Sequence, residues 1–130
     1  MNENAKLIQS LYEAFARGDI GFILNRVAND TDWNASDSTE MPYHGHYSGR
    51  AEVSKFFEQI AAAVRVKSFE PDVYVTQGDE VMTTGRWSGV ALKTGKSFTT
   101  AWAMRFLVKD GKIAYCRTYE DTAVTAAAFR

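Results

Sequence analysis

Only one cysteine, Cys116, occurs in the chain, so no internal disulfide can form. The two histidines, His44 and His46, have no cysteine or acid cluster at ligand spacing around them. Neither a metal site nor a cofactor is expected from them. An excess of charge of one sign is also missing. Net charge is −1 and no block of Lys or Arg appears, so nucleic acid and anionic membrane are not expected partners. No apolar run approaches the about 20 residues of a membrane span. The opening residues, MNENAKLIQ, lack the apolar segment of a signal peptide. Gly-rich phosphate loops, nucleophile elbows and zinc spacings are absent too, which removes most cofactor-based chemistry. A cytoplasmic protein is the expectation.

What the chain does have is apolar residues in regular patterns. At 130 residues, 45% of them hydrophobic, it is long enough for one domain with a real core, and no repeat divides it. Ile8, Leu11, Tyr12 and Phe15 recur at helical spacing, which predicts a helix from about Asn4 to Ala16. Gly18 suits its C-terminal end, and Asp19 suits the N-cap of a second helix that buries Ile20, Ile23, Leu24 and Val27. Thr31 to Asp37 alternates as a short strand with Thr31, Trp33, Ala35 and Asp37 on one face. A loop from Ser38 to Ser48 follows. A third helix then opens at Ser48 or Gly49, with Val53, Phe56, Phe57, Ile60 and Val64 turned inward. Four strands come next, Lys67 to Thr76, Glu80 to Leu92, Lys96 to Lys109 and Lys112 to Glu120, separated by turn-like Gly-containing segments. Asp121 suits the N-cap of a last, alanine-rich helix. Helices followed by a strand meander predict an α+β domain: three main helices on a strongly curved antiparallel sheet, closed like a cone with a pocket at its mouth.

The final hairpin is the most informative stretch. Trp102, Met104 and Phe106 alternate and share one sheet face, with Arg105 turned the other way. Asp110-Gly111 marks the turn. A three-residue loop with a bulge there would pair Met104 with Cys116 and Trp102 with Thr118, and would put Glu120 further along that same face. An open two-residue turn would shift the pairing by one and present Tyr115, Arg117 and Tyr119 instead. The bulged register is preferred because it sends Arg105 and Arg117 to solvent.

The segments LYEAFARGDI, ANDTDW, PYHGHYSGRAEVSKFF and KDGKIAYCRTYEDTA, in this order and spacing, resemble the nuclear transport factor 2-like superfamily, specifically its SnoaL-like polyketide-cyclase branch. The resemblance covers nearly the whole length and implies a single domain over 1–130, a cone-shaped fold and a homodimer. It implies no particular activity, because ketosteroid isomerases, epoxide hydrolases, dehydratases, cyclases and non-catalytic domains share that fold. The isomerases' aspartate base matches Ala35. Their oxyanion-hole tyrosine falls at Leu11, one residue before Tyr12, and their protonated aspartate falls at Trp102. The cyclases' histidine and acid match Met104 and Thr118. The epoxide hydrolases' arginine and two aspartates fall at Thr100, Trp102 and Thr118. The scaffold is kept and these catalytic sets are not.

The residues expected on the wall of a small-molecule pocket are Tyr12, Trp33, Ala35, Trp87, Trp102, Met104, Cys116 and Thr118. Glu120 and Asp37 are carboxylates at strand ends near the expected mouth. Desolvation beside tryptophan can make either an acid or base, while a solvated rim position would leave it idle. His46, in the loop, has a pKa suited to carrying a proton, though loop histidines are commonly just exposed. Two functions follow. One is a cofactor-free enzyme on a hydrophobic small molecule, an isomerase, cyclase, dehydratase or hydrolase using acid/base chemistry. The other is a ligand-binding or dimerisation module without catalysis. A carboxylate buried in the pocket would distinguish them.

Overall fold

The computed structural model describes all residues from Met1 to Arg130. In it, α1 spans Glu3–Ala16, α2 Ile20–Leu24, β1 Val27–Asn34, β2 His46–Ser48 and α3 Arg50–Ala63. The long strands β3 Val64–Gln77, β4 Glu80–Ala91, β5 Ser97–Lys109 and β6 Lys112–Glu120 follow, and α4 covers Thr122–Ala128. No helix is long and apolar enough to cross a membrane.

Helix ends follow local chemistry. Asn2 caps α1 by accepting from the Ala5 amide at 2.8 Å, and Asp19 caps α2 through the Phe22 amide at 3.1 Å. Gly49 precedes α3 at φ 84°, a conformation its missing Cβ permits, and the Glu52 carboxylate takes the Ser48 amide. Asp121 stands at the N-cap of α4, but its side chain makes no capping hydrogen bond, contrary to expectation.

The six strands form one curved sheet in the order β2-β1-β6-β5-β4-β3. This is the expected α+β cone with helices packed on the sheet, with one difference: β1 runs parallel to β6, so the sheet is mixed rather than wholly antiparallel. β3 is an edge strand, which tolerates Pro71 in its interior. Its register with β4 shifts between Val66 and Ser68 and again between Pro71 and Val73. Such bulges bend a strand. Gly89 pairs with Val66 and Gly85 with Pro71, so a glycine lies beside each bend. One face of the curve packs on Ile8, Leu11 and Ala14 of α1 and on Val53, Phe56 and Ile60 of α3.

The final hairpin presents the expected faces in a different register. Asp110 and Gly111 form a two-residue turn with φ of 52° and 72°. The bulge lies instead at Ala114, between the Val108–Ile113 and Leu107–Tyr115 pairs. Beyond it Phe106 pairs with Cys116, Met104 with Thr118 and Trp102 with Glu120. Each partner is two residues further along than the turn-bulge reading placed it. An offset of two preserves the face, so Glu120 still shares its side with Trp102.

Candidate functional site

The inner face of β4, β5 and β6 and the facing helices enclose a cavity of about 90 Å³. A single water needs only roughly 10–15 Å³ of such space, so the cavity can hold a ring-sized ligand. Its wall is built from three directions. β5 and β6 supply Trp102, Met104, Thr118 and Glu120; α1 supplies Leu11, Tyr12 and Phe15; α3 supplies Phe56, Phe57 and Ile60. Trp33 from β1 and Trp87 from β4 add to it, with Ala35 just past β1. Every residue expected on the pocket wall lines this cavity except Cys116. That thiol is fully buried beside the wall, pairs across the sheet with Trp33, and is pushed far above its ordinary pKa by burial. It is an inert core group.

Trp102 owes its position to a glycine. It lies across from Gly85, where a Cβ would come within 2.3 Å of the indole Cζ2. With only hydrogen there, the indole lies over β4 and stacks on Phe69 at 4.9 Å and 16°. Tyr12 packs against the same indole at 5.4 Å. Its hydroxyl is already engaged, sharing a 2.6 Å hydrogen bond with Thr83 Oγ1 and lying 3.3 Å from Met104 Sδ. Burial holds its pKa well above the ordinary value, so it stays neutral.

Glu120 is the one ionisable carboxyl among the lining residues. Burial pushes its pKa from 4.5 to about 7; the Trp87 indole, donating to Oε2 at 3.4 Å, opposes the rise, and Asp121 adds to it. Glu120 also borders two surface clefts, one with Ser36 and Arg117 and the other with Arg86 and Asp121. Its proton can therefore exchange with solvent while the carboxyl faces the apolar wall.

The other two proton carriers expected from the sequence lie elsewhere. Asp37 does not continue β1, which ends at Asn34. The Ala35 amide donates to Gly45 O at 2.9 Å and the Gly45 amide to Ser36 O at 2.8 Å, closing the intervening loop. Asp37 swings out of the strand line to an exposed ion pair with Arg117 at 2.7 Å. His46 is exposed on β2 and bonds Asp32 Oδ1 at 2.6 Å. Neither lines the cavity. Conversely, Tyr43 does line it, from within the loop read only as a neighbour of the histidines. It packs edge-on against Trp87 at 6.3 Å and Phe129 at 6.2 Å. Burial, with a smaller contribution from Glu120, holds its phenol far above the ordinary pKa.

The SnoaL-like domain model matches residues 8–116. The chain belongs to the SnoaL-like family. Solved structures agree with this fold. An NTF2-like protein from Burkholderia thailandensis is 27% identical over 100% of this chain and 99% of its own, with a TM-score of 0.89. One from Burkholderia xenovorans LB400 is 27% identical over 98% and 96%, with a TM-score of 0.87. TerC, co-crystallised with polyporic acid, is 22% identical over 98% of each chain, with a TM-score of 0.88, a likeness of fold alone. No functionally curated protein matches the chain.

In this SnoaL-like domain the buried carboxyl has a consequence for stability. A carboxyl whose folded pKa exceeds its unfolded one favours the native state when protonated. That contribution is full below pH 4.5, is lost as pH rises through about 7, and then levels off. Urea unfolding of the wild type and Glu120→Gln at pH 5 and pH 8 isolates it. The variant should gain about 1–3 kcal/mol on the wild type between the two values. Parallel pH dependences would contradict the burial.

Proposed function

We propose that this SnoaL-like domain binds a hydrophobic small molecule in the apolar cavity and moves a proton on it without a cofactor, with Glu120 as the base and then the acid. The observation that carries this reading is the lone carboxyl, poised near neutrality, in a wall of aromatic side chains. In the forward step a carboxylate oxygen of Glu120 takes a proton from the carbon beside a ligand carbonyl. The C–H electron pair passes into the enolate, and the proton returns to another position or is lost to solvent through the clefts. Isomerisation, cyclisation and dehydration all contain such a step. Deuterium exchange at the α-carbons of 2-tetralone in D₂O tests it: the wild type should accelerate exchange and Glu120→Gln should not.

A second reading, ligand binding without catalysis, is favoured by the residues that replace the relatives' catalytic groups, Ala35, Trp102, Met104 and Thr118. Tetralone that binds the wild type and exchanges no faster than in buffer would establish it. The single buried thiol, unable to form a disulfide, supports a reducing, cytoplasmic location.

The protein is also proposed to be a homodimer. Val73, Val75, Met82 and Tyr119 are each about half exposed and share the outer face of the sheet with Arg105 and Arg117, a mixed apolar and basic face suited to a second copy. Light scattering at micromolar concentration should give about twice 14.5 kDa, and a mass near 14.5 kDa would refute the dimer.

A further inference from the structure

The cavity wall is helix and strand everywhere except at Ala35, Ser36 and Tyr43, which lie in the loop between β1 and β2. Of the three, only Tyr43 has a ring that can close an opening. The loop itself is fixed. Backbone hydrogen bonds from Ala35 and Ser36 to Gly45 close its neck, and Met41 within it is fully buried. Tyr43 is held more lightly, since neither its amide nor its carbonyl joins a backbone–backbone hydrogen bond. Pro42 before it is exposed and His44 after it half-buried, so the backbone here runs along the surface while the ring points inward. The ring meets Phe56, Trp87 and Phe129 edge-on, at 6.5, 6.3 and 6.2 Å.

That inward position carries a cost. The side chain is 4% exposed, and its hydroxyl is buried without a hydrogen-bond partner. Buried polar groups are nearly always paired, and an unmade hydrogen bond destabilises the state that buries it. Turning the ring outward about χ1 returns the hydroxyl to water and removes this cost, while the apolar ring loses its burial. The two effects are of similar size and opposite sign, so the closed position stays accessible to opening. The opening would lie at the carboxyl's end of the cavity, because the charge of Glu120 is felt at the Tyr43 phenol.

Resting on the reading of this cavity as the ligand site, we infer that Tyr43 is its gate: the ring swings out to admit a ligand beside Glu120 and swings back to cover it. The unpaired hydroxyl is what keeps the gate from locking. A gate of this kind changes how fast a ligand enters and leaves by one common factor. It leaves affinity alone, because the ring is closed over both the empty and the filled cavity.

Two measurements on the full chain test this. The first follows tryptophan fluorescence in stopped-flow mixing with 2-tetralone, since all three tryptophans line the cavity. Tyr43→Phe, which removes only the hydroxyl, should slow association and dissociation alike, by about fivefold or more, with Kd nearly unchanged. Tyr43→Ala should speed both. Unchanged rates in Tyr43→Phe, or faster dissociation with association unchanged, as for a lost ligand contact, overturn the gate. The second needs no ligand. The Trp87 indole N–H, packed against Tyr43, should exchange with deuterium at a rate nearly independent of low urea, the mark of a local opening. Exchange should be slower in Tyr43→Phe and faster in Tyr43→Ala. A urea dependence as steep as that of the slowest sheet amides would mean that only global unfolding opens the cavity, and would overturn the gate. If 2-tetralone fails to bind up to its solubility limit, the ligand-site reading falls for this probe and the exchange result alone decides the gate.

Discussion

Glu120→Gln is expected to lower the rate of proton abstraction by about 10²–10⁴ while leaving ligand affinity nearly unchanged. Glutamine keeps the shape and can still accept the Trp87 indole hydrogen bond that Oε2 accepts at 3.4 Å. It cannot take a proton. The loss should therefore appear in kcat and not in KM, the signature of an interaction made only in the transition state. Asp37→Asn and His46→Gln are the controls. Asp37 is paired with Arg117 and His46 with Asp32, both outside the cavity, so turnover should be unaffected by either change. A large loss with either would move the chemistry away from Glu120.

Trp102→Ala should destabilise the fold by about 3–5 kcal/mol, the range for removing a buried aromatic. The indole is 4% exposed, stacks on Phe69 and packs against Tyr12. The hole it leaves cannot close easily: Gly85, directly across the strand, has no side chain to move into it, and the space merges with the cavity already present. Urea unfolding followed by far-ultraviolet circular dichroism measures the cost. A loss below about 1 kcal/mol would mean that the indole is not part of the packed wall.

What could be read in the sequence was governed by period. Alternation assigns a residue to a face regardless of its partner, so Trp102, Met104, Thr118 and Glu120 were placed on one side although their register was off by two. The register itself depended on where one extra residue went. Ala114, between two apolar neighbours, carries no turn signal, whereas Asp110-Gly111 does, so the sequence points to a bulge at the turn while the structure has it at Ala114. The parallel pairing of β1 with β6 joins segments some eighty residues apart, and no local pattern encodes it. The alternation that predicts Asp37 on the strand runs past the strand's end at Asn34, where the backbone turns to bond Gly45. Tyr43 had no periodic pattern at all. It reaches the cavity through that loop closure and through packing on Trp87 and Phe129, both distant in sequence. Glu120 was legible because it stood at the end of a long alternating strand.

The proposed chemistry depends on a carboxyl that is held in an apolar wall and changes charge near neutrality. Carbon-13 NMR of the Glu120 side-chain carboxyl, assigned by its loss in Glu120→Gln and followed from pH 3 to pH 9, measures this without any ligand or assay. The predicted midpoint is about 7. A midpoint near 4.5, the value of an ordinary solvated glutamate, would contradict the account.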